Sequence, residues 1–372
     1  VTVEVVIAGG GTAGHVFPAV AVADALRDRG ASITYVGALD GQEATLVPAA
    51  GYRFVPVRVT AAQTRLSWRS LRAVARAVLA ARSLRPLVAR ADVVVGVGGF
   101  ASAPAVLAAR WTHRPLVLVD QNSVPGAVNR IAARWARVVA TTFDATARRL
   151  PAGTRVERTG NPVRAQIVAV SEDRPRLAAE ARAAFGLEDG RRTVLVVGGS
   201  QGALHLDETV AGALTVLRER EDLQLLVGAG PAHVEVVAGA VDRRAPLLVR
   251  VLPFIERMDL ALAVADLVVS RAGASVAEVA ACGLPSVLVP YPYATEHHQD
   301  ANAAEVVGAG AAVLLRDAEL SPSVLASCIL ELMDDEARRT RMGQAALAWA
   351  RPDAAARIAD LTIEAATGRR PV

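Results

Sequence analysis

Three strand-to-helix junctions rich in small residues, and one polar cluster, hold the side chains of this chain that could do chemistry. The first junction is Gly9-Gly10-Gly11-Thr12-Ala13-Gly14-His15. Glycines let the backbone approach a phosphate or sugar closely, and a helix N-terminus behind them favours an anion. The run fits the G-x-G-x-x-G pattern of dinucleotide sites. The acid which that pattern expects at the end of the second strand is missing, because Val36 is followed by Gly37, and Asp40 comes late. A plain tight turn is the competing reading. His15 sits at the start of the following helix, where the positive helix end favours the neutral, basic imidazole over imidazolium. Beside a sugar hydroxyl that suits a general base, while a space-filling histidine is the bland alternative.

The second junction, Gly198-Gly199-Ser200-Gln201-Gly202-Ala203, follows an apolar run and precedes a helix. Ser200 and nearby backbone N–H groups could hold a diphosphate. The third is Ser270-Arg271-Ala272-Gly273-Ala274-Ser275-Val276-Ala277-Glu278. Glu278 falls in the first turns of its helix, where it could accept ribose hydroxyls or merely complement the helix dipole. The polar cluster is Pro290-Tyr291-Pro292 followed by Glu296-His297-His298-Gln299 and Asn302. The adjacent histidines diverge by about 100° on a helix, so they make a poor metal pair. Gln299 and Asn302, three apart, share a helical face, and their amides suit sugar hydroxyls. No Asp-x-Asp pair exists to clamp a metal–diphosphate. We expect no metal and no cofactor, with leaving-group charge met by helix ends and arginine.

The elements that must position these residues alternate. Apolar strands read Val3–Ala8, Ser32–Val36, Val93–Val97, Leu116–Asp120 and Val138–Ala140 in the first half. In the second they read Thr193–Val197, Leu223–Val227, Leu247–Val251, Leu267–Val269, Ser286–Val289 and Ala312–Leu314. Helical stretches include Pro18–Arg29, Arg69–Arg82 and a helix near Pro175–Phe185, with further helices from Pro322 onward. Strands alternating with helices imply parallel sheets with right-handed crossovers. The pattern lapses into a turn-rich linker between Thr159 and Asp173. With 372 residues, two doubly wound domains are expected. We place an N-terminal domain over 1–160, a C-terminal one over 161–350, and a helix over 351–372 that can return to the first domain. Each half opens with an apolar strand running into glycines, and two such domains facing each other would make one cleft.

Composition narrows the class further. Hydrophobic residues make up 52% and aromatics 4%, which suits a core of Ala, Val and Leu between sheet and helices. All 41 basic residues are arginine, which excludes a Walker lysine and a lysine Schiff base. Two cysteines, Cys282 and Cys328, make no metal or disulfide framework and point to a reducing compartment. No apolar run reaches transmembrane length and no signal-like segment opens the sequence, so the chain is expected to be cytoplasmic. From Ala44 to Ala91 there are nine arginines and no acid, against a net charge of +4 for the whole chain. Within it Trp68, Leu71, Ala75, Val78 and Leu79 follow helical spacing among Arg65, Arg69, Arg72, Arg76 and Arg82. Such a segment, 65–90, could dock on an anionic membrane surface, or be a core helix with a solvated arginine face. No aromatic stacking set accompanies the basic patch, so nucleic acid is not expected.

Taken in order, the motifs converge. Gly10-Gly11-Thr12-Ala13-Gly14-His15-Val16-Phe17-Pro18, Asp120-Gln121-Asn122, Gly160-Asn161-Pro162-Val163-Arg164, Gly198–Ala203, Arg271–Glu278 and His298-Gln299-x-x-Asn302-Ala303 resemble the MurG family. These are the peptidoglycan N-acetylglucosaminyltransferases of the GT-B fold. The resemblance spans almost the whole chain. It implies an α/β GT-B architecture of two Rossmann-like domains and an inverting transfer that converts lipid I to lipid II. N-acetylglucosamine would pass from UDP-N-acetylglucosamine to the C4 hydroxyl of an undecaprenyl-diphosphate-linked muramyl pentapeptide, peripherally on the cytoplasmic face of the membrane. His15 would be the base. Thr12, Ala13 and Gly14 would border donor sugar and diphosphate, and Asn122 would contact N-acetylglucosamine. Arg164 and Ser200 would lie on the nucleotide side, and Ile255 would meet uracil through its backbone. Ala274 and Ser275 would face phosphates, Glu278 the ribose and Gln299 the sugar hydroxyls.

This chain departs from the family pattern at three places. Ala13 stands where a third loop glycine is common, Val119-Asp120 replaces His-Glu, and the stretch through Ser275 is one residue short before Glu278. Two other readings are carried forward: an NAD(P)-dependent oxidoreductase built on Gly9–Gly14, and a GT-B relative using UDP-N-acetylglucosamine without a lipid acceptor.

Overall fold

The structure, a computed structural model, describes residues 2–11, 13–60, 68–199 and 202–368. Contacts divide the chain into two compact units, Val1–Arg164 with Arg351–Val372, and Ala165–Ala350.

The first unit runs β1 (Glu4–Ala8), α1 (Ala13–Arg27), β2 (Ser32–Ala38), α2 (Glu43–Ala49), β3 (Arg53–Val57), α3 (Trp68–Arg90), β4 (Val93–Gly96), α4 (Ala103–Trp111), β5 (Leu116–Asp120), α5 (Ala127–Ala132), β6 (Val138–Thr141), α6 (Asp144–Ala147) and β7 (Val156–Arg158). Among the described residues its seven strands pair in parallel in the order β3-β2-β1-β4-β5-β6-β7. Successive residues of a strand point to opposite faces. Val5 and Ile7 therefore enter one apolar cluster with Val16, Ala19 and Val22 of α1, while Val6 and Ala8 enter another with Ala81, Leu84 and Val88 of α3.

The second unit runs α7 (Ala165–Val168), α8 (Arg174–Phe185), β8 (Arg192–Val197), α9 (Leu204–Leu217), β9 (Leu223–Gly228), α10 (Val234–Ala238), β10 (Leu248–Leu252), α11 (Met258–Val264), β11 (Leu267–Ser270), α12 (Ser275–Ala281), β12 (Ser286–Leu288), α13 (His298–Gly308), β13 (Ala312–Leu314), α14 (Pro322–Asp334) and α15 (Glu336–Trp349). Its sheet has the order β10-β9-β8-β11-β12-β13, again parallel. The last helix, α16 (Ala354–Thr367), belongs to the first unit. There Ile358, Ala359 and Leu361 join the cluster built on α1, and Arg29 pairs with Asp360 at 2.8 Å.

Three expectations need correction. Strands β3 and β7 are absent from the sequence reading because both are sheet edges: β3 carries Pro56 and β7 carries Glu157 and Arg158, the residues that blunt an edge. The segment 159–173 is not all turn, since α7 and a 3₁₀ turn over Ala169–Ser171 lie within it. Helix α3 extends to Arg90, and its core face is Ala73, Ala81, Leu84 and Val88 rather than the stripe proposed. Ala75 and Leu79 point outward, Leu79 being 62% and Val74 57% exposed, beside exposed Arg72, Arg76 and Arg82. Arg65 lies outside the described residues, as do the side chains of Trp68, Arg69 and Leu71.

Candidate active site

In open parallel sheets the strand order reverses at a switch point, and ligands bind beyond the strand ends there. In the first unit that point lies between β1 and β4, and in the second between β8 and β11. The loops after these four strands are Gly9–Gly11, Gly98-Gly99, Gly198–Ala203 and Arg271–Gly273, so every loop singled out from the sequence but the polar cluster lies at a switch point, and one further loop joins them.

In the first unit, the two loops meet backbone to backbone. Gly99, at φ 73°, packs so closely on the Gly10 carbonyl that a Cβ there would collide with it. Gly10 and Gly11 stand at φ 144° and 94°, conformations that side chains disfavour. Beneath them lies a residue that sequence reasoning passed over. Glu43, the first residue of α2, is fully buried, and its carboxylate accepts the Gly11 N–H at 3.0 Å and the Ala38 N–H at 2.8 Å. It thus returns to the end of β2, where the dinucleotide pattern seeks its acid. Both its oxygens are spent on backbone, which leaves no free carboxylate for a ribose and argues against the oxidoreductase reading.

His15 is half-buried in the first turn of α1. A Cβ on Gly98, at φ 83°, would stand 3.3 Å from its ring, a tight approach, and 3.6 Å from the Asn129 amide, in ordinary contact. Asn129 is buried and donates to the Val119 carbonyl and to Asp120 Oδ2, both at 2.9 Å, and its own Oδ1 is buried without a hydrogen bond among the described residues. Asp120 also accepts the N–H groups of Asn122 and Gly126, each at 3.1 Å. Burial pushes the Asp120 carboxyl up to about 6 in spite of these bonds from Asn129, Asn122 and Gly126. Asn122 is half-buried, with its carbonyl accepting the Thr146 hydroxyl at 2.8 Å. Gly14 lies in the first turn of α1, which Ala13 opens, and Thr12 is outside the described residues. Arg164 sets its guanidinium 4.3 Å from the Phe17 ring centroid, on the same helix as His15.

In the second unit, Ser200 lies outside the described residues. The loop around it is tied from behind by Asp207 of α9, whose buried Oδ2 accepts the Ala203 N–H at 2.9 Å and lies 3.1 Å from His233 Nδ1. Burial raises the Asp207 pKa against the pull of the Ala203 N–H and His233, and Oδ1 is buried with no hydrogen bond among the described residues. Gly202, at φ 76°, faces the Ala229 carbonyl. Neither Asp207 nor His233 drew notice in the sequence. The available signal was an acid four residues after the end of the glycine loop, one helical turn in.

The loop after β11 is braced by Arg271. This buried guanidinium donates to the Val289 and Pro290 carbonyls at 3.2 Å and pairs with Asp317, which also lies 2.8 Å from His205 Nδ1. Burial opposes ionisation of Asp317, but the bonds from Arg271 and His205 hold its carboxyl below the usual range. Ala274 immediately precedes α12, Ser275 is its first residue and Glu278 its fourth, all three half-buried. Ile255 is buried, and its side chain fills the space above Gly228. Gln299 is half-buried, and its side-chain oxygen accepts the Tyr291 N–H at 2.8 Å. Asn302 is not a sugar ligand: it is fully buried and donates to the Ala272 carbonyl at 3.0 Å, which fixes the loop after β11. Ahead of α13, Glu296 and His297 hold φ of 52° and 51°, a strained pair of non-glycine residues.

Two parallel doubly wound units, each with glycine loops at its switch point, define the GT-B fold. The N-terminal domain of glycosyltransferase family 28 matches residues 5–141 and the family's C-terminal domain matches residues 193–358. The chain belongs to this family, and within it to the group whose members bear the name UDP-N-acetylglucosamine–N-acetylmuramyl-(pentapeptide) pyrophosphoryl-undecaprenol N-acetylglucosamine transferase. The protein of that name from Acidothermus cellulolyticus is 42% identical, over 99% of this chain and all of its own. The one from Halothermothrix orenii is 35% identical, over 98% of this chain and all of its own. Among solved structures, Acinetobacter baumannii MurG superposes with a TM-score of 0.76 at 32% identity, covering 97% of this chain and 99% of that one. A Listeria monocytogenes structure described as a putative UDP-N-acetylglucosamine 2-epimerase reaches 0.70 at 16% identity, over 98% of this chain and 96% of its own, which shows a common fold.

Proposed function

We propose that this chain transfers N-acetylglucosamine from UDP-N-acetylglucosamine to the C4 hydroxyl of undecaprenyl-diphosphate-linked muramyl pentapeptide. The observation that carries this reading is full-length similarity, in both directions, to transferases bearing that name. In the reaction His15 takes the proton of the acceptor hydroxyl as its oxygen attacks the anomeric carbon. The bond from that carbon to the UDP oxygen breaks, UDP leaves and a β-1,4 bond forms with inversion. Ser200 and the loop Gly198–Ala203, with Ala274 and Ser275, hold the diphosphate through backbone N–H groups. Arg164 lies on the nucleotide side. Ile255 meets the uracil through its backbone, Glu278 the ribose, and Gln299 the sugar hydroxyls through its amide nitrogen. Thr12, Ala13, Gly14 and Asn122 border the sugar and diphosphate.

The outward face of α3 supports a membrane-surface role in this reading. Exposed Leu79 stands among Arg72, Arg76 and Arg82, on a segment with no acid. Basic side chains near anionic lipid contribute about 1 kcal/mol each. No helix among the described residues is long and apolar enough to cross a membrane. In this reading the protein works at the cytoplasmic face of the membrane by surface contact. Charge reversal at Arg72, Arg76 and Arg82 is expected to abolish co-sedimentation with anionic vesicles, and undiminished binding would remove this role.

The deciding experiment supplies purified protein with UDP-N-acetylglucosamine and a short-chain lipid-diphosphate muramyl pentapeptide. UDP release that depends on the acceptor, with the disaccharide product found by mass, is the expected result. Binding of the UDP-sugar without that product would overturn the acceptor and leave a GT-B protein of other specificity. In the same assay His15→Ala is expected to lower kcat by roughly 100-fold or more, the usual cost of losing a general base.

A further inference from the structure

We propose that Glu43 is a positioning residue for the transfer: its carboxylate sets the shape of the first glycine loop and, through it, the first turn of α1 that presents His15. The kinetic part rests on the function proposed above; the structural part does not.

A carboxylate removed from water is costly unless donors replace the lost hydration. Glu43 is fully buried, and among the described residues its hydrogen-bond donors are two backbone amides rather than a cation. Each oxygen takes one: Oε2 the Gly11 N–H and Oε1 the Ala38 N–H. The side chain therefore ties the loop after β1 to the end of β2. Three glycines on three segments, Gly10, Gly37 and Gly41, leave room for it, since a Cβ at any of them would run into the Glu43 side chain. A glutamate placed only to complement the start of α2 would need no such clearing.

The tie also selects which amides a ligand can meet. With Gly10 at φ 144° and Gly11 at φ 94°, the Gly11 N–H turns inward to Glu43 and is withdrawn from any phosphate or sugar. The amides that follow at the start of α1 remain to face the ligand. His15 lies four residues beyond Gly11, within the first turn of that helix. Loss of the tie leaves the buried Ala38 N–H and the part-buried Gly11 N–H without this acceptor and frees the loop to rotate, with His15 at the end of the lever.

Glu43→Gln tests this with little change of volume. The amide has one acceptor where the carboxylate has two, so one of the two backbone N–H groups then faces an NH₂. Three readouts are taken on the full chain: hydrogen exchange by mass spectrometry, UDP affinity by calorimetry, and kcat and KM for the acceptor. Exchange over residues 9–17 is expected to quicken about tenfold or more, the scale of one buried backbone hydrogen bond lost. Exchange over residues 202–210 and along β4 and β5 should stay as in the unchanged protein. UDP affinity should hold within about twofold while kcat falls about tenfold or more, and Glu43→Asp, which keeps both acceptors on a shorter arm, should recover part of the loss. Unchanged exchange over 9–17 in a folded Glu43→Gln overturns the proposal. So does exchange that rises equally throughout the first sheet, which marks a structural role alone, or a quickened loop with unchanged kcat. If the unchanged protein itself makes no disaccharide, the proposed function fails, and exchange over 9–17 still decides whether Glu43 sets the loop.

Discussion

The two glycine loops that follow β1 and β8 are each anchored by a buried carboxylate that accepts a backbone N–H, yet the anchors differ in reach. Glu43 comes from another element, thirty-two residues beyond Gly11, and both of its oxygens are bonded to backbone. Asp207 comes from the helix that the loop itself starts, four residues after Ala203; one oxygen serves Ala203 and His233, and the other is buried without a hydrogen bond among the described residues. The first loop is locked by tertiary structure with every acceptor satisfied. The second is tied locally, through Ala203, by a carboxylate with one oxygen unpaired among the described residues.

The sharpest way to break that comparison is to crowd each loop in turn. Gly10→Ala puts a methyl into the Glu43 carboxylate at φ 144°, and Gly202→Ala puts one into the Ala229 carbonyl at φ 76°. Backbone strain of this kind costs on the order of 1–3 kcal/mol, or about 5- to 150-fold. Gly10→Ala is expected to lower kcat towards the upper end of that range with UDP affinity unchanged. Gly202→Ala should weaken UDP binding, measured by calorimetry. Identical profiles for the two would erase the distinction between the loops.

Asp120 gives a third carboxylate, and its titration sharpens the contrast by stability rather than turnover. Its pKa is raised to about 6 by burial, so the folded chain holds this proton more tightly than the unfolded one. The associated stability is therefore present below about pH 4 and is lost as pH rises through about 6, a change of about 3 kcal/mol for a shift of this size. Urea unfolding of the unchanged protein and of Asp120→Asn, compared at pH 4.5 and 7.5, isolates the effect. The stability of the unchanged protein relative to the variant should fall with rising pH, and a difference that is flat or rises contradicts the assignment. The smallest expected effect is at Asp207→Asn, where one amide oxygen can still accept from Ala203. UDP affinity should drop only about threefold, consistent with a modest hydrogen-bond change. A loss as large as that of Gly202→Ala would mean the second loop is held as rigidly as the first.

The central strands were legible in the sequence because parallel strands covered on both faces read as unbroken Val/Leu runs, as in Val93-Val94-Val95 and Leu195-Val196-Val197. The edges were not, since β3 and β7 carry the proline and charges that keep an edge from pairing further. The glycine loops announced themselves by composition, whereas their anchors did not. Glu43 lies past the point where a dinucleotide acid would stand, and only the fold shows its side chain returning to β2. Helical spacing put Gln299 and Asn302 on one face correctly, but it could not show that Asn302 is spent on the Ala272 carbonyl and that Gln299 already accepts from Tyr291. On α3, periodicity found apolar residues and arginines without showing that Leu79 faces out and Ala81 faces in, because alanine and arginine offer little contrast of faces.

Helix α16 has a consequence for synthesis. It completes the apolar layer of the first unit with Ile358, Ala359 and Leu361, yet it is encoded after the whole of the second. As the chain leaves the ribosome from its N-terminal end, the first unit waits without Ile358, Ala359 and Leu361 of its apolar cluster while the second unit emerges and can close on its own. The first part made is thus the last part finished. Translation that stops before residue 354 leaves a protein with one complete half and one half showing a bare apolar face to chaperones and proteases.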